Sequence, residues 1–125
     1  IMDLTKEWDN VQSEASGSHL VTGVTIVNND FLKEHEDLVD TFLQEHEASI
    51  QFTSEDPDTA AELIANAEIV AKAPIARKAL PYCNITFLSG TEMKEALSGY
   101  LQALYDQNPA SVGGELPDDG FYYVK

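Results

Sequence analysis

Cysteine is nearly absent from this chain of 125 residues: Cys83 stands alone, so no disulfide can close within it. That leaves the compartment open, because a disulfide-free sequence suits many exported bacterial proteins as well as internal ones. Positive charge is scarce too. Seven Lys and Arg face 22 Asp and Glu, a net charge of −15 and a pI near 4.2. Such a field repels phosphate backbones and anionic lipid headgroups, which argues against nucleic acid and membrane surfaces as partners. No apolar run approaches the roughly 18 residues of a membrane span. No secretory signal precedes the first elements, and Ile1 is not an initiator residue. The chain is therefore expected to be a processed or trimmed product with natural sequence missing upstream.

The motifs of familiar chemistries are missing as well. Gly113-Gly114 is not followed by Lys-Ser or Lys-Thr, and no G-x-G-x-x-G occurs, so no nucleotide loop is supported. His35 and His46 lie near several glutamates, but neither opens an H-E-x-x-H motif, since Val39 and Ile50 sit four residues on. On one continuous helix the two imidazoles would be roughly 16 Å apart, too far for one ion, so both are expected to be solvated. Cys83 has no His and acid converging on it in sequence and is expected to be a small buried hydrophobe. The carboxylates follow no spacing that would pair them for acid–base work. The expectation is a protein with no catalytic residues, no metal and no cofactor.

What is present is hydrophobic content of 43% with only five prolines, the profile of an ordinary globular domain. Residues 1–20 read as irregular, with Trp8 as their one large apolar anchor. Residues 21–27, "VTGVTIV", are rich in β-branched side chains and predict a strand. Asn28-Asn29-Asp30 ends it and offers a cap for a helical turn beginning at Phe31. Apolar spacing then predicts a helix over 36–53, with Leu38, Val39, Phe42 and Leu43 on its buried stripe. "SEDPDTAAELIANA" opens a second helix over 57–67, with Asp56 as N-cap and Pro57 at its first position. Pro74 and Pro81 bracket a third over 73–80. "NITFLSG" predicts a second strand at 85–88, and Thr91 is the expected cap of a fourth helix to residue 107. That helix should bury Leu97, Tyr100, Leu101 and Leu104, while Phe121, Tyr122 and Tyr123 should tie the tail down.

The order of these elements carries a resemblance. "TGVTIVNNDFLKEH", then "LVDTFLQEHEASIQFTSEDPDTAAELIA", and above all "LPYCNITFLSGTEMKEALSGYL" with "NPASVGGELPDDGFYY" resemble the C-terminal part of bacterial ABC-transporter substrate-binding proteins. The branch is that of the nitrate, sulfonate, taurine and thiamine-precursor binders. The resemblance spans about residues 3–123 and implies an α/β, helix-rich fold: part of a type II periplasmic-binding-protein lobe with about four helices and two short strands. It divides the chain into an irregular hinge-proximal segment, 1–20, and part of a substrate-binding lobe, 21–125. It implies a small polar or anionic solute as ligand, ABC permease subunits as partners, and a periplasmic or cell-surface lipoprotein setting whose signal is not in this chain. By position, Ser18, His19 and Thr22 fall nearest the implied hinge and cleft, with a structural loop as the competing reading. The strand partners of 21–27 would belong to upstream sequence, so self-association of this chain is expected. The alternative reading is an acidic helical interaction module without a transport role.

Overall fold

The computed structural model describes residues 2–12 and 18–125. Its regular structure is helical: α1 (Leu4–Val11), α2 (Asn29–Glu34), α3 (Glu36–Glu55), α4 (Pro57–Asn66), α5 (Ala73–Ala79) and α6 (Gly90–Gln107), with 3₁₀ turns at Leu80–Tyr82, Pro109–Val112 and Asp119–Phe121. The chain divides into two compact units. One is continuous, Val27–Phe87, and holds α2 to α5. The other joins Ile1–Ile26 to Leu88–Lys125 and holds α1 and α6. The division falls at 26–27 and 87–88.

In the continuous unit the caps written in the sequence form. Asn28 accepts from the amides of Asp30 and Phe31 at 2.9 and 3.2 Å, so α2 is a full helix where a single turn was expected. His35 interrupts the helix for one residue, and α3 restarts at Glu36. Asp56 takes the Thr59 amide at 3.1 Å and its hydroxyl at 2.7 Å, with Pro57 opening α4. The Thr59 hydroxyl, and then its amide, hold the Asp56 carboxyl below the usual carboxylate range. The end of α4 is a Schellman turn: Ile69 N–H reaches Ile64 O and Glu68 N–H reaches Ala65 O. Glu68 there has φ of 59°, a left-handed position that glycine usually fills.

This unit is centred on small residues. Ala61 is wholly buried, with Ala60 and Ala76 nearly so, which brings the backbones of α4 and α5 close. Along α3 the inward row is Val39, Leu43, His46 and Ile50, of which Val39 is 8% exposed. Leu38 and Phe42, expected in the core, are 53% and 50% exposed. The sequence offered two stripes one residue, and thus about 100°, apart; packing against α4 selected the second.

In the discontinuous unit, α1 replaces part of the irregular stretch expected over 1–20; residues 13–17 of that stretch lie outside the described residues. Asp3 caps α1, accepting from the amides of Thr5 and Lys6. Trp8 anchors it, its ring 5.1 Å from that of Tyr100 and its indole N–H donating to the Ser18 hydroxyl at 3.1 Å. Ala96 is the buried residue of α6, while Leu97, Tyr100, Leu101 and Leu104 are half-buried. Helix α6 begins one residue ahead of Thr91, with Ser89 at the cap position and no side-chain cap bond. Past α6, the Ser111 hydroxyl donates to Asn108 O at 2.8 Å, and Gly113 and Gly114 turn the chain at φ of 85° and 95°. The tail is tied down: Lys94 pairs with Asp119 at 2.7 Å and lies 5.8 Å from the Tyr122 ring centre. Partial burial raises the Tyr122 hydroxyl above its ordinary pKa.

The two expected strands do not form. Residues 21–27 and 85–88 are neither helical nor paired, and there is no strand among the described residues. Their β-branched content is real, but a strand exists only through hydrogen bonds to a neighbour. Among the described residues no amide of 20–26 or 85–88 donates to a main-chain carbonyl.

Candidate functional site

The positions the resemblance favoured are separated by their environments. Ser18 is buried, 6% exposed, and its hydroxyl accepts the Trp8 indole N–H, a structural use of that group. His19 and Thr22 are exposed on the irregular segment that follows. Neither of the two hollows in the continuous unit has any of the three in its lining.

His35 and His46 are not the solvated residues expected; both are half-buried against aromatic rings. The His35 ring lies 4.8 Å from Phe31. His46 sits between Phe42 at 5.3 Å and Phe87 at 5.8 Å, which ties the segment before α6 back onto α3. Its Nδ1 is buried without a hydrogen-bond partner, a local cost borne for the aromatic packing. Among the described residues no three His, Cys, Asp or Glu are grouped to hold a metal ion. Cys83, expected inside, is exposed, with its thiol against Ala79 O at 3.3 Å. The 3₁₀ turn at Leu80–Tyr82 carries it outward.

Two concave features lie in the continuous unit. Pro74, Arg77, Lys78, Pro81 and Tyr82 line an open hollow of about 520 Å³ on α5 and its 3₁₀ extension. Tyr82 is 84% exposed, so its ring forms a wall facing solvent. Arg77 is already engaged, its Nε 2.6 Å from the Asp58 carboxylate across to α4. Both partners are largely exposed, so that pair contributes little stability, at most about 1 kcal/mol. With Lys78, Arg77 places two of the chain's seven bases at this hollow, one of them already paired with Asp58. The sequence carried a signal for this: three of the seven bases, Lys72, Arg77 and Lys78, fall within seven residues. The second feature is an apolar groove of about 370 Å³ between α3 and α4, walled by Ala48, Phe52, Ala60, Leu63 and Ile64.

Neither feature brings a nucleophile, a base and an orienting acid together. Comparison of this chain with protein-family models, with curated proteins and with solved structures found no match. No described helix is long and apolar enough to cross a membrane.

Proposed function

We propose that this chain is the C-terminal region of the solute-binding component of an ABC importer, a non-enzymatic protein. In this reading a small polar or anionic solute, such as a sulfonate, nitrate or a thiamine precursor, is captured outside the cytoplasm and handed to permease subunits. The motif order carries the proposal, above all "LPYCNITFLSGTEMKEALSGYL" followed by "NPASVGGELPDDGFYY". The finer assignment, a partial type II lobe with strands at 21–27 and 85–88, belongs to this proposal; those strands would need edges from elsewhere.

A second reading, an acidic helical interaction module, draws on a different observation. All regular structure among the described residues is helical, and Leu38, Phe42 and Leu63 present apolar surface to solvent. Calorimetric titration distinguishes the two. Nitrate, short alkanesulfonates and pyrimidine precursors are titrated into the complete gene product and, in parallel, into this chain. The importer reading expects one class to bind the complete product and none to bind this chain with useful affinity. The hollows here are open, and small solutes are held by enclosure of most of their surface. Silence of the complete product toward all three classes would favour the module. Equal binding by both proteins would place a whole pocket in this chain and overturn the assignment of the cleft.

A further inference from the structure

The segment from residue 21 to residue 27 combines four properties that rarely coexist in water. Its side chains are those of a strand, yet it is unpaired. Val24 and Ile26 are 59% and 86% exposed. Its main-chain amides find no main-chain acceptor among the described residues. From Leu20 to Asn29 there is neither a proline nor a charged residue, although 29 of the 125 residues of the chain are Asp, Glu, Lys or Arg. Proteins guard open strand edges with lysines, prolines or bulges, and this segment has none of them.

The sequence of the segment also indicates what would cover it. Laid antiparallel against itself about Val24, "VTGVTIV" sets Val21 opposite Val27, Thr22 opposite Ile26 and Gly23 opposite Thr25, with Val24 meeting its own copy. Cross-strand neighbours on one face of an antiparallel pair interact directly, and β-branched pairs are favourable there. The exposed row, Thr22, Val24 and Ile26, becomes a continuous β-branched face of six side chains from two chains. No acid lies within the paired stretch; the first, Asp30, would face Ser18 of the other copy. Two molecules of charge −15 repel at distance, and an uncharged strip is where they can touch.

We infer that residues 21–27 form a self-complementary pairing site through which two copies of this chain join by an antiparallel β-ladder centred on Val24. The inference does not depend on the transport reading. Strand addition of this kind takes its affinity from main-chain hydrogen bonds and its register from alternate side chains. Association strengthens as salt screens the like charges of the two copies, since the Debye length falls to about 8 Å at physiological ionic strength.

The test is sedimentation equilibrium of the 125-residue chain at low and moderate salt, with far-ultraviolet circular dichroism across the same concentrations. The expected result is a reversible dimer, tighter at moderate salt, whose formation adds a β signal. Val24→Lys sets two ammonium groups opposite one another and should weaken association by about tenfold or more. Val24 is mostly exposed, so helicity should be unchanged. Ile75→Lys, at another exposed apolar position on α5, should leave association as it was. With Cys83→Ser as background, Val24→Cys should form an intermolecular disulfide faster than Ile75→Cys. A chain that stays monomeric at both salts, a dimer indifferent to Val24→Lys, or equal cross-linking at both positions would each overturn the proposal.

Discussion

The continuous unit, 27–87, and the discontinuous unit, 1–26 with 88–125, solve the same problem with different materials. The first packs short helices through alanines, so its elements meet at close range and its centre contains almost no volume to lose. The second joins chain segments some ninety residues apart through an aromatic contact, Trp8 on Tyr100, and holds its tail to α6 through the Lys94–Asp119 pair. The comparison teaches where each unit is vulnerable. An alanine-centred interface fails when something is added, an aromatic anchor when something is removed.

The largest expected effect follows from the anchor. Trp8→Ala removes a half-buried indole, its ring contact with Tyr100 and its hydrogen bond to Ser18, and should cost about 2–4 kcal/mol in the discontinuous unit. Hydrogen exchange should show α6 losing protection while α4 and α5 keep theirs. Equal loss in both units would show that they unfold together and would break the comparison. Next comes Ala61→Leu, which forces three carbons into a fully closed contact and should cost about 1–3 kcal/mol, read by denaturant melts and confined to the continuous unit. A cost under about half a kcal/mol would mean that α4 and α5 separate freely.

Glu68→Gly works in the other direction. The left-handed backbone at φ of 59° penalises any side chain, so glycine should stabilise the continuous unit by about 0.5–1 kcal/mol in the same melts. A destabilisation would show that the Glu68 side chain outweighs its backbone strain.

The smallest effect is the acid response. Asp56 in one unit and Asp119 in the other both have folded pKa values below the ordinary 3.8. Their contributions are therefore complete above that value and are lost as pH falls below it, through the folded pKa. Salt separates the two. Hydrogen bonding and then the charge of Lys94 lower Asp119, whereas a neutral threonine lowers Asp56. Added salt should weaken the acid dependence of the Asp119 latch and leave that of the Asp56 cap nearly unchanged. The side-chain carboxyl resonance of Asp119 and the amide of Thr59, which donates to Asp56, followed through an acid titration would report each site.

The long helices were legible because their signals are local. Asp56-Pro57 opens α4, Pro74 lies in the first turn of α5, Asn108-Pro109 closes α6, and apolar spacing carries the lengths between. The expected spans 36–53, 57–67, 73–80 and 91–107 fall within two residues of the observed ones at every end. Helix α1 was legible in principle, since Asp3 caps it and Leu4, Trp8 and Val11 follow i, i+4, i+7 spacing, but eight residues among polar neighbours are a weak local signal, and its anchor, Trp8 on Tyr100, lies far along the chain. The hollow on α5 was legible only as a cluster of bases in sequence; that Arg77 is held by Asp58, and that Tyr82 stands in solvent, is set by how α5 lies against α4. The outward turn of Cys83 was equally hidden, because a 3₁₀ turn and an α-helical end share one local sequence.

By itself the sequence determined the net charge, the caps of α2 and α4, the break after α6 at Pro109, and the β-branched, uncharged character of 21–27. Those properties belong to single residues and their near neighbours, so they survive whatever the rest of the chain does. Only the tertiary structure decided which stripe of α3 turns inward, that alanines and not leucines are the most deeply buried residues, and that 21–27 is left without a partner. Each of these depends on which surfaces lie within about 4 Å of each other, and closure over long separations is something no local spacing encodes.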